Sequence, residues 1–205
     1  NGLEEVDTSY TYDEKNQLCE EKNGENTIVY QYDIVGNRTE RRSREGEEKY
    51  EYNERNQLIS FEKGKEKRRF TYDKEGSIIK EERREGEREY EYDAEKKLVR
   101  LKREDGREER YGYDGEGKRV EQEGTGRNRR YCYYGNKVLW EEREGGERKR
   151  SYVLGYGIEG VEEEGKRYYY QKDERESTTY VSDNEGELRN RYEYDGYGRI
   201  EEKEE

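Results

Sequence analysis

Tyr30-Gln31-Tyr32-Asp33-Ile34-Val35-Gly36-Asn37-Arg38 decides the fold, because a variant of it returns as Tyr50-Glu51-Tyr52-Asn53-Glu54-Arg55-Asn56-Gln57-Leu58 after 20 residues. The aromatic–x–Tyr–Asp/Asn unit starts at Tyr10, Tyr30, Tyr50, Phe70, Tyr90 and Tyr111, with a degenerate copy at Tyr131, so the spacings are 20, 20, 20, 20, 21 and 20. A fixed period of this length marks a repeat architecture. The paired aromatics lie two residues apart, which puts Tyr10 with Tyr12, Tyr30 with Tyr32, Tyr50 with Tyr52, Phe70 with Tyr72, Tyr90 with Tyr92 and Tyr111 with Tyr113 on one strand face. Tyrosine suits a half-buried pleated surface, since its ring packs while its hydroxyl keeps a polar partner.

Each copy reads as two strands and two turns. Asp13, Asp33, Asn53, Asp73, Asp93 and Asp114 follow the aromatic pair, and a short polar side chain there bonds the backbone two residues on. Three residues later stand Asn16, Gly36, Asn56, Gly76 and Gly117, where a turn requires positive φ. A second strand such as Gln57-Leu58-Ile59-Ser60-Phe61 follows. It ends at a tight turn, for which Asn23-Gly24, Asp105-Gly106 and Gly145-Gly146 are the strong signals and Glu45-Gly46 and Glu85-Gly86 the weaker ones. The expectation is an all-β chain, a long antiparallel meander in which 20 residues make one up–down step. Asp/Asn turns fall on one edge and Gly turns on the other.

These residues resemble the YD repeat, also called the RHS repeat. Its Tyr-x-Tyr-Asp-x-x-Gly-Asn-Arg form is met by Tyr30 to Arg38, and its Asn-Gln-Leu form by Tyr50 to Leu58. The family includes bacterial polymorphic toxins, casings of insecticidal toxin complexes and animal teneurins. The resemblance covers nearly the whole chain and implies a curled, spiral sheet that forms a hollow shell. It also implies a secreted or cell-surface location, with the remainder of an RHS-type chain and a cargo polypeptide as partners. Two parts are expected on one continuous sheet: a YD array over 1–150, and a divergent segment over 151–205 that resembles the closing core of the family's arrays. In that segment Tyr169-Tyr170-Gln171-Lys172-Asp173-Glu174-Arg175-Glu176-Ser177 aligns with a Tyr-Tyr-His-x-Asp-His-Leu-Gly-Ser stretch, with Gln171 and Glu174 in place of its histidines. Ser182-Asp183-Asn184-Glu185-Gly186 aligns with a turn, and Tyr192, Tyr194 and Asp195 form the last repeat, with Gly196 in place of a proline. A self-cleaving site known in some members would lie past Glu205, outside the sequence in hand.

Composition sets further bounds. Of 205 residues, 26% are hydrophobic and 48% charged, and the net charge is −12, a balance usually read as disorder. The 23 tyrosines on a fixed period override that reading and supply ring packing where aliphatics are few. Mixed Glu, Lys and Arg point to cross-strand ion pairs on a solvated face. The chain has no Pro, Met or His and one alanine, Ala94, a bias consistent with a thermophile surface, a redesign or an excised piece. With no histidine, Ser-His-Asp and Cys-His catalysis and histidine metal sites are excluded, and no enzymatic activity, cofactor or metal is expected. Cys19 and Cys132 match no zinc spacing and are expected as free thiols. The acidic balance argues against nucleic acid, and no apolar run is long enough to span a membrane.

Two functions from different classes remain. One is a structural wall section of a β-shell that encloses or displays a C-terminal toxin or effector. The other is a cell-surface glycan- or protein-binding module that stacks carbohydrate on exposed tyrosine rows; an engineered or fragmentary array is a third possibility. Burial of the tyrosines separates wall from platform. Roughly 18 to 20 strands at about 4.8 Å give about 90 Å of sheet, which predicts a curved sheet, open or loosely closed.

Overall fold

The structure, a computed structural model, describes residues 8–124, 128–143 and 149–204, with side chains through Arg199 and Ile200. It divides into two compact units, one of residues 1–96 and 101–106, the other of residues 97–100 and 107–205. All described regular structure is β-strand. The first unit carries β1 (Thr8–Tyr12), β2 (Leu18–Asn23), β3 (Asn26–Tyr32), β4 (Arg38–Ser43), β5 (Gly46–Tyr52), β6 (Leu58–Lys63), β7 (Glu66–Tyr72), β8 (Ile78–Arg83) and β9 (Gly86–Tyr92). Strand β10 (Leu98–Lys102) contributes residues to both units. The second unit carries β11 (Glu108–Tyr113), β12 (Arg119–Gly124), β13 (Arg129–Tyr134), β14 (Lys137–Arg143) and β15 (Lys149–Leu154). It continues through β16 (Ile158–Glu163), β17 (Lys166–Lys172), β18 (Thr178–Asp183), β19 (Leu188–Tyr194) and β20 (Ile200–Glu204).

Within the first unit, β1 to β9 each pair antiparallel with the next strand. Within the second, β11 to β20 do the same. Each unit is therefore a meander, and consecutive turns alternate between its two edges, as the 20-residue period requires. The Asp-turn hairpins share one irregularity. Thr11 faces Glu20 but Tyr12 faces Leu18, so one residue of β2 is left over as a bulge. The same slip falls at the second residue of the aromatic pair in β3, β5, β7 and β11.

The other edge departs from the sequence expectation by one residue. Asn23 pairs with Asn26, so the turn tip is Gly24-Glu25 and not Asn23-Gly24. Gly24 has φ +56° at the first central position, the conformation a type II′ turn demands. Ser43 pairs with Gly46, so this tip is Arg44-Glu45, and Gly46 opens the following strand instead of closing the turn. The Glu85-Gly86 reading shifts likewise, because Arg83 pairs with Gly86. Gly145-Gly146 lie outside the described residues. The 21-residue spacing between Tyr90 and Tyr111 is absorbed at Arg103–Gly106, where the Gly106 amide donates to the Arg103 carbonyl and Gly106 takes φ +79°.

One sheet face of the first unit holds Leu18, Ile28, Tyr30, Tyr50 and Phe61, all buried. Long charged side chains complete it. Arg41 and Glu48 are fully buried 3.5 Å apart, and Glu48 also accepts the Tyr50 hydroxyl at 2.6 Å and faces Lys63 at 3.2 Å. Few aliphatics are needed because tyrosine rings and paired charges fill the row.

Candidate functional site

The repeat motif builds two devices, one from the Asp and one from the second tyrosine. Asp13 Oδ1 accepts the amides of Lys15 and Gln17, both at 2.8 Å, while its own amide donates to the Gln17 carbonyl at 2.9 Å. Asp33 repeats this with Val35 and Asn37, and Asp73 with Glu75 and Ser77. Asp114 repeats it with Glu116 and Lys118, and Asp195 with Tyr197 and Arg199. Asn53 does so through its neutral amide oxygen, toward Arg55 and Gln57. Asp93 accepts from Glu95. Positive φ follows three residues on at Asn16, Gly36, Asn56, Gly76 and Gly117, as the sequence indicates. Lys96 and Glu176 take the same conformation without being Gly or Asn, which pattern reading does not find. These amide bonds favour the charged carboxylate. The Asn37 side chain holds Asp33 below the ordinary carboxylate range, and the Ser77 amide does the same for Asp73.

The second tyrosine ties each repeat to the one before it. Tyr32 donates its hydroxyl to the Leu18 carbonyl at 2.7 Å, Tyr52 to Arg38 at 3.0 Å, Tyr72 to Leu58 at 2.7 Å and Tyr92 to Ile78 at 3.0 Å. In the second unit Tyr113 donates to Leu98 at 2.8 Å, Tyr133 to Arg119 at 2.8 Å and Tyr194 to Thr178 at 2.7 Å. For Tyr32, Tyr52, Tyr72, Tyr92 and Tyr133 the acceptor is the residue opposite the previous repeat's second tyrosine, at the bulge. A bulge disrupts the local ladder and leaves backbone groups in search of partners, and the next hydroxyl supplies one. Burial raises the phenols of Tyr52, Tyr72, Tyr92 and Tyr194 above the ordinary value, so these hydroxyls stay protonated donors.

The first aromatic has a different role. Its hydroxyl goes to a side chain: Tyr30 to Glu21 at 3.3 Å, Tyr90 to Glu81 at 2.9 Å and Tyr111 to Glu109 at 2.8 Å. Because this bond serves no backbone atom, phenylalanine is accepted at position 70. The Arg of the Gly-Asn-Arg form stacks between two first tyrosines. The Arg38 guanidinium lies 5.6 Å from the Tyr30 ring centre and 5.0 Å from that of Tyr50. Arg119 repeats this between Tyr111 and Tyr131, at 5.5 and 5.1 Å. Sequence reading missed both the hydroxyl lock and the stack. The fixed identity of the second aromatic, against Tyr or Phe at the first, is the signal that points to the lock.

In the tail, the Asp173 turn forms with Arg175 and Ser177, and Asp183 accepts from Glu185 and Glu187 and pairs with Arg189. Here the lock residue changes, since Leu154 and Lys172 occupy the second position, opposite Ile158 and Thr178. Tyr192 lies two residues before Tyr194 in β19, as in the aromatic pairs of the array. Cys19 and Cys132 are free thiols. Among the described residues no group of His, Cys, Asp and Glu is placed to hold a metal ion, and no helix is long and apolar enough to cross a membrane.

The arrangement is therefore a mechanical one. Tyr30 is 2% exposed, and the hydroxyls of Tyr30, Tyr52, Tyr72, Tyr90 and Tyr92 are bonded to carbonyls and carboxylates, while Tyr12 in the first copy is exposed. The exposed rings, Tyr12, Tyr134, Tyr156, Tyr169 and Tyr197, stand apart in sequence: Tyr12, Tyr134 and Tyr169 lie in β1, β13 and β17, and Tyr156 and Tyr197 lie between strands. Solved structures with a similar chain path include the Photorhabdus luminescens Tc holotoxin pore, at 17% identity and a TM-score of 0.42, with 94% of this chain and 14% of that one covered. TcdB2-TccC3 without its hypervariable C-terminal region matches at 17% identity and a TM-score of 0.43, covering 97% of this chain and 15% of that one. TcdB2-TccC3 matches at 17% identity and a TM-score of 0.44, with 96% and 15% covered. The chain thus spans about one seventh of the length of these structures. No curated protein matches it. The teneurin YD-shell family model matches residues 1–205. With its Asp turns, bulges and tyrosine locks recurring among the described residues of both units, the chain belongs to the teneurin YD-shell family, whose role is that of a structural shell.

Proposed function

We propose that this chain is a wall section that encloses or displays a cargo polypeptide, in a secreted or cell-surface setting. The observation that carries the reading is the hydroxyl lock, which spends the tyrosines on joining repeat to repeat. A wall must resist separation of its courses, and seven hydroxyl-to-carbonyl bonds between successive repeats give that resistance along the array, except at the steps where Leu154 and Lys172 replace the tyrosine. Glycan stacking on tyrosine rows is the weaker reading, because a ring whose edge is tied to the sheet offers little free face. No catalytic role is assigned: the strongly held groups are turn carboxylates and donor phenols, which serve the backbone. The test is protease protection. Produced together with the polypeptide encoded beside it, the wall should slow digestion of that polypeptide at least about tenfold. Equal digestion with and without the wall would overturn the proposal.

A further inference from the structure

The charge of −12 is unevenly spread. On the Gly-turn edge of the first unit, a cleft of about 300 Å³ is lined by Lys65, Lys67, Arg68, Arg83, Arg84, Glu66 and Glu85. Its walls are two successive turns of the meander, one between Lys63 and Glu66 and the other between Arg83 and Gly86. Most of the cations are engaged. Arg68 binds Glu66, Arg83 donates to Glu81 at 2.8 Å, and Lys67 donates to Glu62 at 2.7 Å. Lys65 and Arg84 are different: both are exposed, and among the described residues neither has a hydrogen-bond or ion-pair partner. Each sits in a turn tip, and the tips are two strand spacings apart, about 10 Å. Of the two preceding turns, Asn23-Gly24-Glu25-Asn26 has no cation, and Ser43-Arg44-Glu45-Gly46 carries Arg44, which does not line this cleft.

We propose that this cleft binds a condensed phosphate, with the phosphate chain bridging Lys65 and Arg84. Two uncommitted cations across a concave site favour a compact ligand with negative charge at both ends. The guanidinium fork of Arg84 meets two phosphate oxygens, while Lys65 acts as a point charge. Glu66 and Glu85 line the same cleft, and their repulsion is offset only where charge is concentrated, so a single phosphate binds weakly. A long polyanion such as nucleic acid is disfavoured, because beyond the cleft it meets an acidic protein.

Isothermal titration calorimetry on the whole chain tests this, with sodium tripolyphosphate as the probe at about 20 and about 150 mM salt. Saturable one-to-one binding is expected, weakening as salt rises. The double variant Lys65→Ala/Arg84→Ala should lose at least about tenfold in affinity, whereas Arg44→Ala, at a neighbouring turn tip outside the lining of the cleft, should bind as the parent does. Each single variant serves as a check that loss follows the cations and not misfolding, with a circular dichroism spectrum taken alongside. Titration with ATP separates two sources of the same chemistry. Affinity equal to tripolyphosphate supports recognition of the phosphate chain, and a tenfold preference for ATP overturns it by showing that the base is read. An unchanged double variant, an equal loss in Arg44→Ala, or no binding at millimolar probe would also overturn the assignment.

Discussion

Asp73 shows how one side chain sets a hairpin. Its Oδ1 satisfies two turn amides, and the Ser77 amide is the largest cause that holds its carboxyl below the ordinary range. A carboxyl whose folded pKa is depressed stabilises the fold above its unfolded pKa, and that contribution is lost as pH falls through the folded value. Asp33, held down by Asn37, and Asp183, held down by Arg189, carry the same sign. Stability should thus decline on the acid side, beginning near pH 4 and continuing below it. Asn53 fills the same position with a neutral oxygen and makes both amide bonds. Asp73→Asn is therefore expected to keep the turn at neutral pH and to flatten the acid limb. Urea midpoints from about pH 2 to 7 check this, and an acid limb as steep as the parent's would contradict it.

At the scale of elements, what joins one hairpin to the next is more than the ladder. The Tyr72 hydroxyl reaches back to the Leu58 carbonyl, while Phe70, two residues earlier, makes no such bond. Deleting the hydroxyl leaves a part-buried carbonyl short of a partner, which costs about 1–3 kcal/mol. Tyr72→Phe should therefore lower the denaturation midpoint by that order, whereas Tyr90→Phe, which leaves Glu81 to its other partners Arg83 and Arg68, should cost less. Chemical denaturation of the two variants compares them directly. Equal losses would show that the backbone acceptor has no special weight. Charged neighbours enter at this scale too: Arg88 and Glu104 bond at 2.6 Å, and Arg88 pulls the Glu104 carboxyl down to about 2. That pair is partly exposed and screened, so it fixes geometry more than it adds stability.

Across the whole molecule, a repeat array behaves as a chain of nearest-neighbour couplings, and it opens first where a coupling is weakest. Leu154 and Lys172 occupy lock positions without a phenol, so among the described residues β15 to β17 lack the hydroxyl bonds that join β3 to β8, and the lock resumes where Tyr194 donates to Thr178 of β18. Hydrogen exchange should accordingly be faster, by at least about tenfold, in the amides of β15 to β17 than in those of β4 to β7. Uniform protection across both sets would show that the ladder alone governs opening.

The sequence by itself determined the period, the all-β class, the face on which the paired aromatics lie and the turns at Asp13, Asp33, Asn53, Asp73 and Asp114. These follow from local rules, since a two-residue side-chain period and an Asx turn need no distant partner. The placement of Gly46 and Gly86 was not legible, because a glycine next to a turn serves either in the tip or just after it, and strand register chooses. Tertiary structure alone decided where Tyr52 sends its hydroxyl and that Arg38 stacks between Tyr30 and Tyr50. It also decided that Arg41 and Glu48 are buried together while Lys65 and Arg84 stay unpaired. Sequence distance does not carry those outcomes. They depend on which carbonyl a bulge displaces and which charges the pairing of strands brings side by side, and both are set only once neighbouring hairpins have locked in register.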